Sequence, residues 1–101
     1  MKTNKLTVLA LVKAQKGLEE ALKKECLSLV SPTRSELGCM DYALHQATED
    51  KSVFMFYENW ESLEALEKHR ETPHLKAFRE KADGLLEKPI DVALFEVISE
   101  P

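Results

Sequence analysis

Two stretches of this chain, Leu6-Thr-Val-Leu-Ala-Leu-Val12 and Val53-Phe-Met-Phe-Tyr-Glu-Asn-Trp60, carry apolar side chains at both odd and even positions. Successive side chains of a strand point to opposite faces, so these are strands that need cover on two sides. A chain of 101 residues makes one domain, near the small end of what encloses a self-sufficient core. One face of its sheet can be covered by the chain's own helices. The other needs a different cover.

The rest of the chain supplies the helices. After Lys16-Gly17, the residues Leu18, Ala21, Leu22, Cys26 and Leu29 recur at helical spacing opposite Glu19, Glu20, Lys23 and Lys24. Ser31-Pro32 ends or bends this helix, because the residue before proline is pushed out of the α region. Gly38 leads into a strand over about Cys39 to Ala47. The polar turn Glu49-Asp50-Lys51-Ser52 joins it to Val53–Trp60 as an antiparallel hairpin. Ser62 is positioned as an N-cap, with Leu63 and Leu66 as one apolar edge. Thr72 caps the next helix with Pro73 at its first position, where a missing N–H costs nothing. Leu75, Phe78, Ala82 and Leu85 form that helix's stripe, and Gly84 weakens its last turn. Lys88-Pro89 opens a final strand, Ile90 to Ile98. The order β-α-β-β-α-β, with the second helix split, predicts an α+β, ferredoxin-like single domain over residues 1–101. Leu9, Leu11, Val53, Met55 and Tyr57 then fall on the face away from the helices. Each buried large apolar side chain is worth roughly 1.5–3 kcal/mol, and such a patch marks an interface. The expectation is a symmetric homodimer with two sheets packed face to face.

Composition excludes several functions. A net charge of −4, with acids and bases interleaved, argues against a nucleic-acid partner and against an anionic membrane surface. No apolar run approaches the roughly 20 residues of a membrane span. The N-terminus lacks the pattern of a signal peptide, and two cysteines without CxxC spacing suit a reducing cytoplasm. Glycine-rich phosphate loops, nucleophile elbows and metal-binding spacings are absent from the sequence.

The chemistry-bearing residues gather around the helix–proline–helix corner. Trp60, Phe54, Phe56 and Glu58 share one strand parity. They read either as core or as the wall of a cavity between sheet and helices. Glu58 on an apolar face is costly unless paired or opened to a polar cavity. His74 lies in a first helical turn, where the macrodipole disfavours imidazolium, so that a neutral ring there can take a proton. His69 lies near a helix C-terminus, where the dipole favours the protonated form. Against this, His74 can simply complete a cap and His69 can lie on a solvated face. Tyr42 and His45 have opposite parity and cannot line one cavity without a bulge. Cys39 lacks a basic neighbourhood and reads as a structural thiol. Lys76, Arg79, Glu80 and Lys81 read as a solvated face.

Three segments resemble the antibiotic biosynthesis monooxygenase superfamily and, within it, the quinol monooxygenase-like proteins. They are Pro32-Thr-Arg-Ser-Glu-Leu-Gly-Cys39, with Leu37 where the family usually has proline, then Tyr42-Ala-Leu-His45, and Tyr57-Glu-Asn-Trp-Glu61 followed by His69 and Thr72-Pro-His-Leu-Lys-Ala-Phe78. The resemblance implies a dimeric α+β barrel with a cavity in each subunit. It also implies cofactor-free oxygenation by O₂ of a small aromatic phenol, quinol or anthrone-like substrate, with neither metal nor flavin. His74 or His69 would accept the proton; Trp60, Phe56 and Phe78 would pack on the ring; Tyr42 or Glu58 would donate or orient. The haem-degrading branch is a poor match, since Ala10 and Arg79 stand where it keeps an asparagine and a histidine. Two alternatives are an isomerase of a phosphorylated signalling sugar, of the autoinducer-2-processing type, with Arg34 as its one suggestive cation, and a non-enzymatic ligand-binding dimer.

Overall fold

A computed structural model describes residues 5–99. Four strands, β1 (Leu6–Lys13), β2 (Cys39–Gln46), β3 (Val53–Trp60) and β4 (Asp91–Phe95), form one antiparallel sheet in the order β2-β3-β1-β4. Four helices, α1 (Glu19–Ser28), α2 (Val30–Arg34), α3 (Leu63–Arg70) and α4 (Pro73–Asp83), complete it. This is the ferredoxin-like α+β arrangement expected from the element order. The two strands with apolar residues at both parities are the central pair, in register from Leu6↔Trp60 to Lys13↔Val53. Their inward side chains, Val8, Ala10 and Val12 with Phe54, Phe56 and Trp60, are buried. So are Leu22, Cys26, Leu66, Phe78 and Ala82 of the helices.

The caps form as the sequence indicates. Ser62 accepts the N–H of Ala65 at 3.2 Å. Thr72 accepts that of Leu75 at 3.4 Å, with Pro73 opening α4. The buried edge of α3 is Ala65, Leu66 and His69, whereas Leu63 is half exposed. Pro32 does more than end the first helix. The chain breaks at Leu29 and restarts as the single turn α2, with Pro32 inside it. Gly38 follows with φ +90°, and a Cβ there would lie 2.5 Å from the Cβ of Ala65. The turn between α2 and β2 is thus seated directly on α3. Cys39 pairs with Trp60 and Asp41 with Asn59, leaving Met40 bulged, which turns both Cys39 and Tyr42 toward the helices. β4 is shorter than the apolar pattern to Ile98 suggests. Its ladder reaches Thr7↔Phe95, one residue from the start of β1, and no further pairing is present among the described residues.

The opposite face of the sheet presents Leu9, Leu11, Met55, Tyr57 and Phe95, with Leu11, Tyr57 and Phe95 each more than a third exposed. At one end of it Asn59 is buried. It accepts the hydroxyl of Thr7 at 2.6 Å and donates to Asp41 at 2.9 Å and the Tyr57 hydroxyl at 3.0 Å. No helix among the described residues is long and apolar enough to cross a membrane.

Candidate functional site

A cavity of about 290 Å³ lies between the sheet and helices α3 and α4. Its wall is mostly apolar: Val8, Ala10, Val12, Phe56 and Val92 from the sheet, Leu66, Leu75 and Phe78 from the helices, and Ile90 just before β4. Tyr42 packs on Phe56 at 5.3 Å between ring centroids, and Phe56 meets Phe78 edge-on at 6.4 Å. Into this wall project five polar groups, those of Tyr42, Glu58, His69, Arg70 and Arg79.

Three side chains from separate elements meet at one end. Glu36, held by the turn before Gly38, places a single carboxylate oxygen 2.8 Å from His69 Nδ1 and 2.6 Å from His74 Nε2. These three could also offer three donor atoms to a cation. A carboxylate facing Nδ1 fixes that nitrogen as the N–H donor and leaves Nε2 as the basic one. Nε2 has no hydrogen-bond partner among the described residues. The ring of His69 lies 4.6 Å from that of Trp60 and 5.9 Å from that of Tyr42. Trp60, fully buried, donates its indole N–H to Glu58 at 2.8 Å.

Burial separates the protonation behaviour of these groups. It is the main cause that pushes the Glu58 carboxyl up to about 7, against the indole N–H, which favours the carboxylate. It also pulls His69 below the ordinary imidazole range, outweighing the attraction of Glu36. The helix-dipole expectation for His69 is therefore overturned. A dipole contributes under about 1 kcal/mol at an exposed terminus, and His69 is 4% exposed. Tyr42 is raised by burial and by the Glu58 charge, so it stays a phenol. The Cys39 thiol is pushed up to about 11, first by burial and then by Glu36, and is no nucleophile.

Of the residues singled out in the sequence, Tyr42, Phe56, Glu58, His69 and Phe78 line the cavity. Trp60 and His74 stand behind it, against His69 and Glu36 respectively. His45 is exposed on the opposite face, bulge notwithstanding. Arg34 donates to the Tyr42 carbonyl at 2.9 Å, outside the lining. Sequence reasoning missed three residues. Glu36 was visible only as part of a turn motif. Arg70 carried no signal. Arg79 is exposed, as expected of the solvated face, yet one turn after Leu75 it also lines the cavity.

Comparison with known proteins identifies the family and the fold. The chain is 33% identical over 79 residues to an uncharacterized protein of Synechocystis sp., covering 74% of this chain but spanning only about half, 54%, of that relative. It is 32% identical over 90 residues to the probable quinol monooxygenase YgiN of Escherichia coli, covering 78% of this chain and 86% of YgiN. The crystal structure of PA3566 from Pseudomonas aeruginosa superposes with a TM-score of 0.92 at 33% identity, over 98% of this chain and 99% of that one. The profile of the antibiotic biosynthesis monooxygenase family matches residues 5–81, and the chain belongs to that family.

Proposed function

We propose that this protein is a cofactor-independent monooxygenase that oxidises a small phenol or quinol-type aromatic with O₂, working as a homodimer. The observation that carries the reading is the Glu36–His69 pair, which leaves the His69 Nε2 without a hydrogen-bond partner among the described residues, in a residue that lines a mostly apolar cavity. His69 takes a proton from the substrate. Glu36 orients the ring and supports the imidazolium that forms, as a carboxylate does for a catalytic histidine. His74 holds Glu36 in place from the other side. Glu58, protonated to a substantial extent near neutrality, donates to the oxygen that gains charge, and Tyr42 stays a donor beside it. The deprotonated ring supplies the electrons. Conversion of a ring C–H to a new C–O bond at the quinone level gives up four electrons to O₂. One oxygen atom stays in the product and the other leaves as water. Leu9, Leu11, Met55, Tyr57 and Phe95 are the surface that a second copy would cover.

The test is oxygen uptake by purified, metal-free protein against reduced naphthoquinols and anthrones, corrected for autoxidation. His69→Gln should lower kcat by ~10²–10⁴, the usual contribution of a positioned general base. The wild-type rate should fall as pH drops through the lowered His69 pKa. On the alkaline side it should fall near pH 7 as Glu58 ionises, a limb that Glu58→Gln should remove. Background rates across the panel, or wild-type turnover by His69→Gln, would sink the proposal. The isomerase reading draws on one observation, the two arginines in the lining. A wall this apolar offers few partners to a polyol.

A further inference from the structure

Arg70 and Arg79 line the cavity without an anion of their own. Arg70 ends α3 and is half-buried; Arg79 is in the second turn of α4. Neither forms an ion pair with a carboxylate among the described residues. Arg79 Nη1 donates to the Arg70 carbonyl at 3.3 Å, which ties the two helix segments together at this side of the cavity. Arg70 is half-buried and Arg79 exposed, both bordering the cavity, and from there Arg70 favours the ionised form of Glu58 and Arg79 disfavours a proton on His69. An unpaired guanidinium at an apolar cavity is a recognition element looking for an anion, and its planar fork matches a carboxylate in two parallel hydrogen bonds.

We infer that the substrate is an aromatic acid: a phenol or quinol whose ring packs on Phe56 and Phe78 and whose carboxylate is held by Arg70 and Arg79. The inference rests on the proposed aromatic reading of the cavity and adds the acidic substituent. A neutral ring would satisfy the wall and leave two cations beside it unpaired. An aliphatic sugar phosphate would satisfy the cations and set its hydroxyls against Val8, Val12, Leu66 and Phe78 without partners. Only a ligand with both parts complements both halves. It would also be held in one orientation, with the ring positioned against His69.

The test is calorimetric titration under argon, which reads binding without turnover. The ligands are 1-hydroxy-2-naphthoate, 1-naphthol and ribose 5-phosphate. The acid should bind at least ~10-fold more tightly than the naphthol, as expected of a hydrogen bond to a charged group, and that advantage should shrink as salt is raised. Arg79→Gln should bring the ratio of acid to naphthol affinity close to one, and Arg79→Lys should restore part of it. Equal affinities for acid and naphthol, or a ratio untouched by Arg79→Gln, would overturn the acidic substituent while leaving the oxygenase reading standing. Ribose 5-phosphate binding as tightly as the acid would overturn the aromatic part. Failure of every ring compound to bind would remove both readings together.

Discussion

Replacing Glu58 by glutamine should make the protein more stable, and by an amount that depends on pH. Glutamine keeps the shape, and its carbonyl can still accept the Trp60 indole N–H that Glu58 holds at 2.8 Å. What it removes is the ability to ionise. The Glu58 carboxyl is raised from about 4.5 to about 7, chiefly by burial. A group whose folded pKa is raised contributes most below the unfolded value, where both states carry the proton. That contribution fades as pH climbs from about 4.5 to about 7. The interval is about 2.5 pH units at about 1.4 kcal/mol each, so wild type should lose up to about 3 kcal/mol across it that Glu58→Gln does not. This is a large share of the 5–15 kcal/mol that holds an ordinary domain together. Urea unfolding of both proteins at fixed concentration, followed by Trp60 fluorescence from pH 4.5 to 8.5, measures the difference directly. Other titrating groups cancel in the subtraction. The stability of Glu58→Gln relative to wild type should rise toward pH 7 and then level off. A pH-independent difference would refute the reasoning. A difference that falls with pH would mean that the indole N–H and Arg70 stabilise the carboxylate more than burial opposes it.

Two further outcomes test the frame around the site. Gly38→Ala should cost about 2–4 kcal/mol, from a positive φ and from overpacking against Ala65; thermal unfolding reads it, and wild-type stability would refute the tight seating of the Glu36 turn on α3. Sedimentation of wild type at micromolar concentration should give a dimer, and Leu11→Arg with Tyr57→Arg should give monomers, since both side chains lie on the exposed apolar sheet face; a monomeric wild type would refute the face-to-face pairing.

The fold was legible because its cues are local. Alternation fixed β3 at Val53–Trp60, since the turn before it and Ser62 after it leave no other register. Thr72-Pro73 could only restart a helix. The misreadings occurred where a local pattern depends on a distant partner. Val97 and Ile98 continue the alternation of β4, yet among the described residues β1 begins at Leu6 and no strand receives them. Leu63 looked like a core residue beside Leu66, but the cap at Ser62 sets the phase of α3 so that Ala65, Leu66 and His69 face inward instead.

The site was legible in its aromatic residues and in the presence of Glu58 and His69, but not in what those polar groups face. Tyr42, Phe56 and Phe78 declare themselves by parity and helical stripe, because an apolar side chain's place follows from its own element. A carboxylate's task follows from what it faces, and Glu36 faces residues 33 and 38 positions further along the chain. Nothing in its own turn says so. The same holds for His69, whose position near a helix C-terminus favours a proton until burial against Trp60 and Tyr42 removes the water that would stabilise the charge. Hence the strength of the base is a property of three elements packed together rather than of any one. On the proposed mechanism, a relative could keep the same strands and caps and still lose the chemistry by changing Glu36 alone. If the proposed oxygenation holds, it is therefore better traced through the residue facing Nδ1 than through the histidine alone.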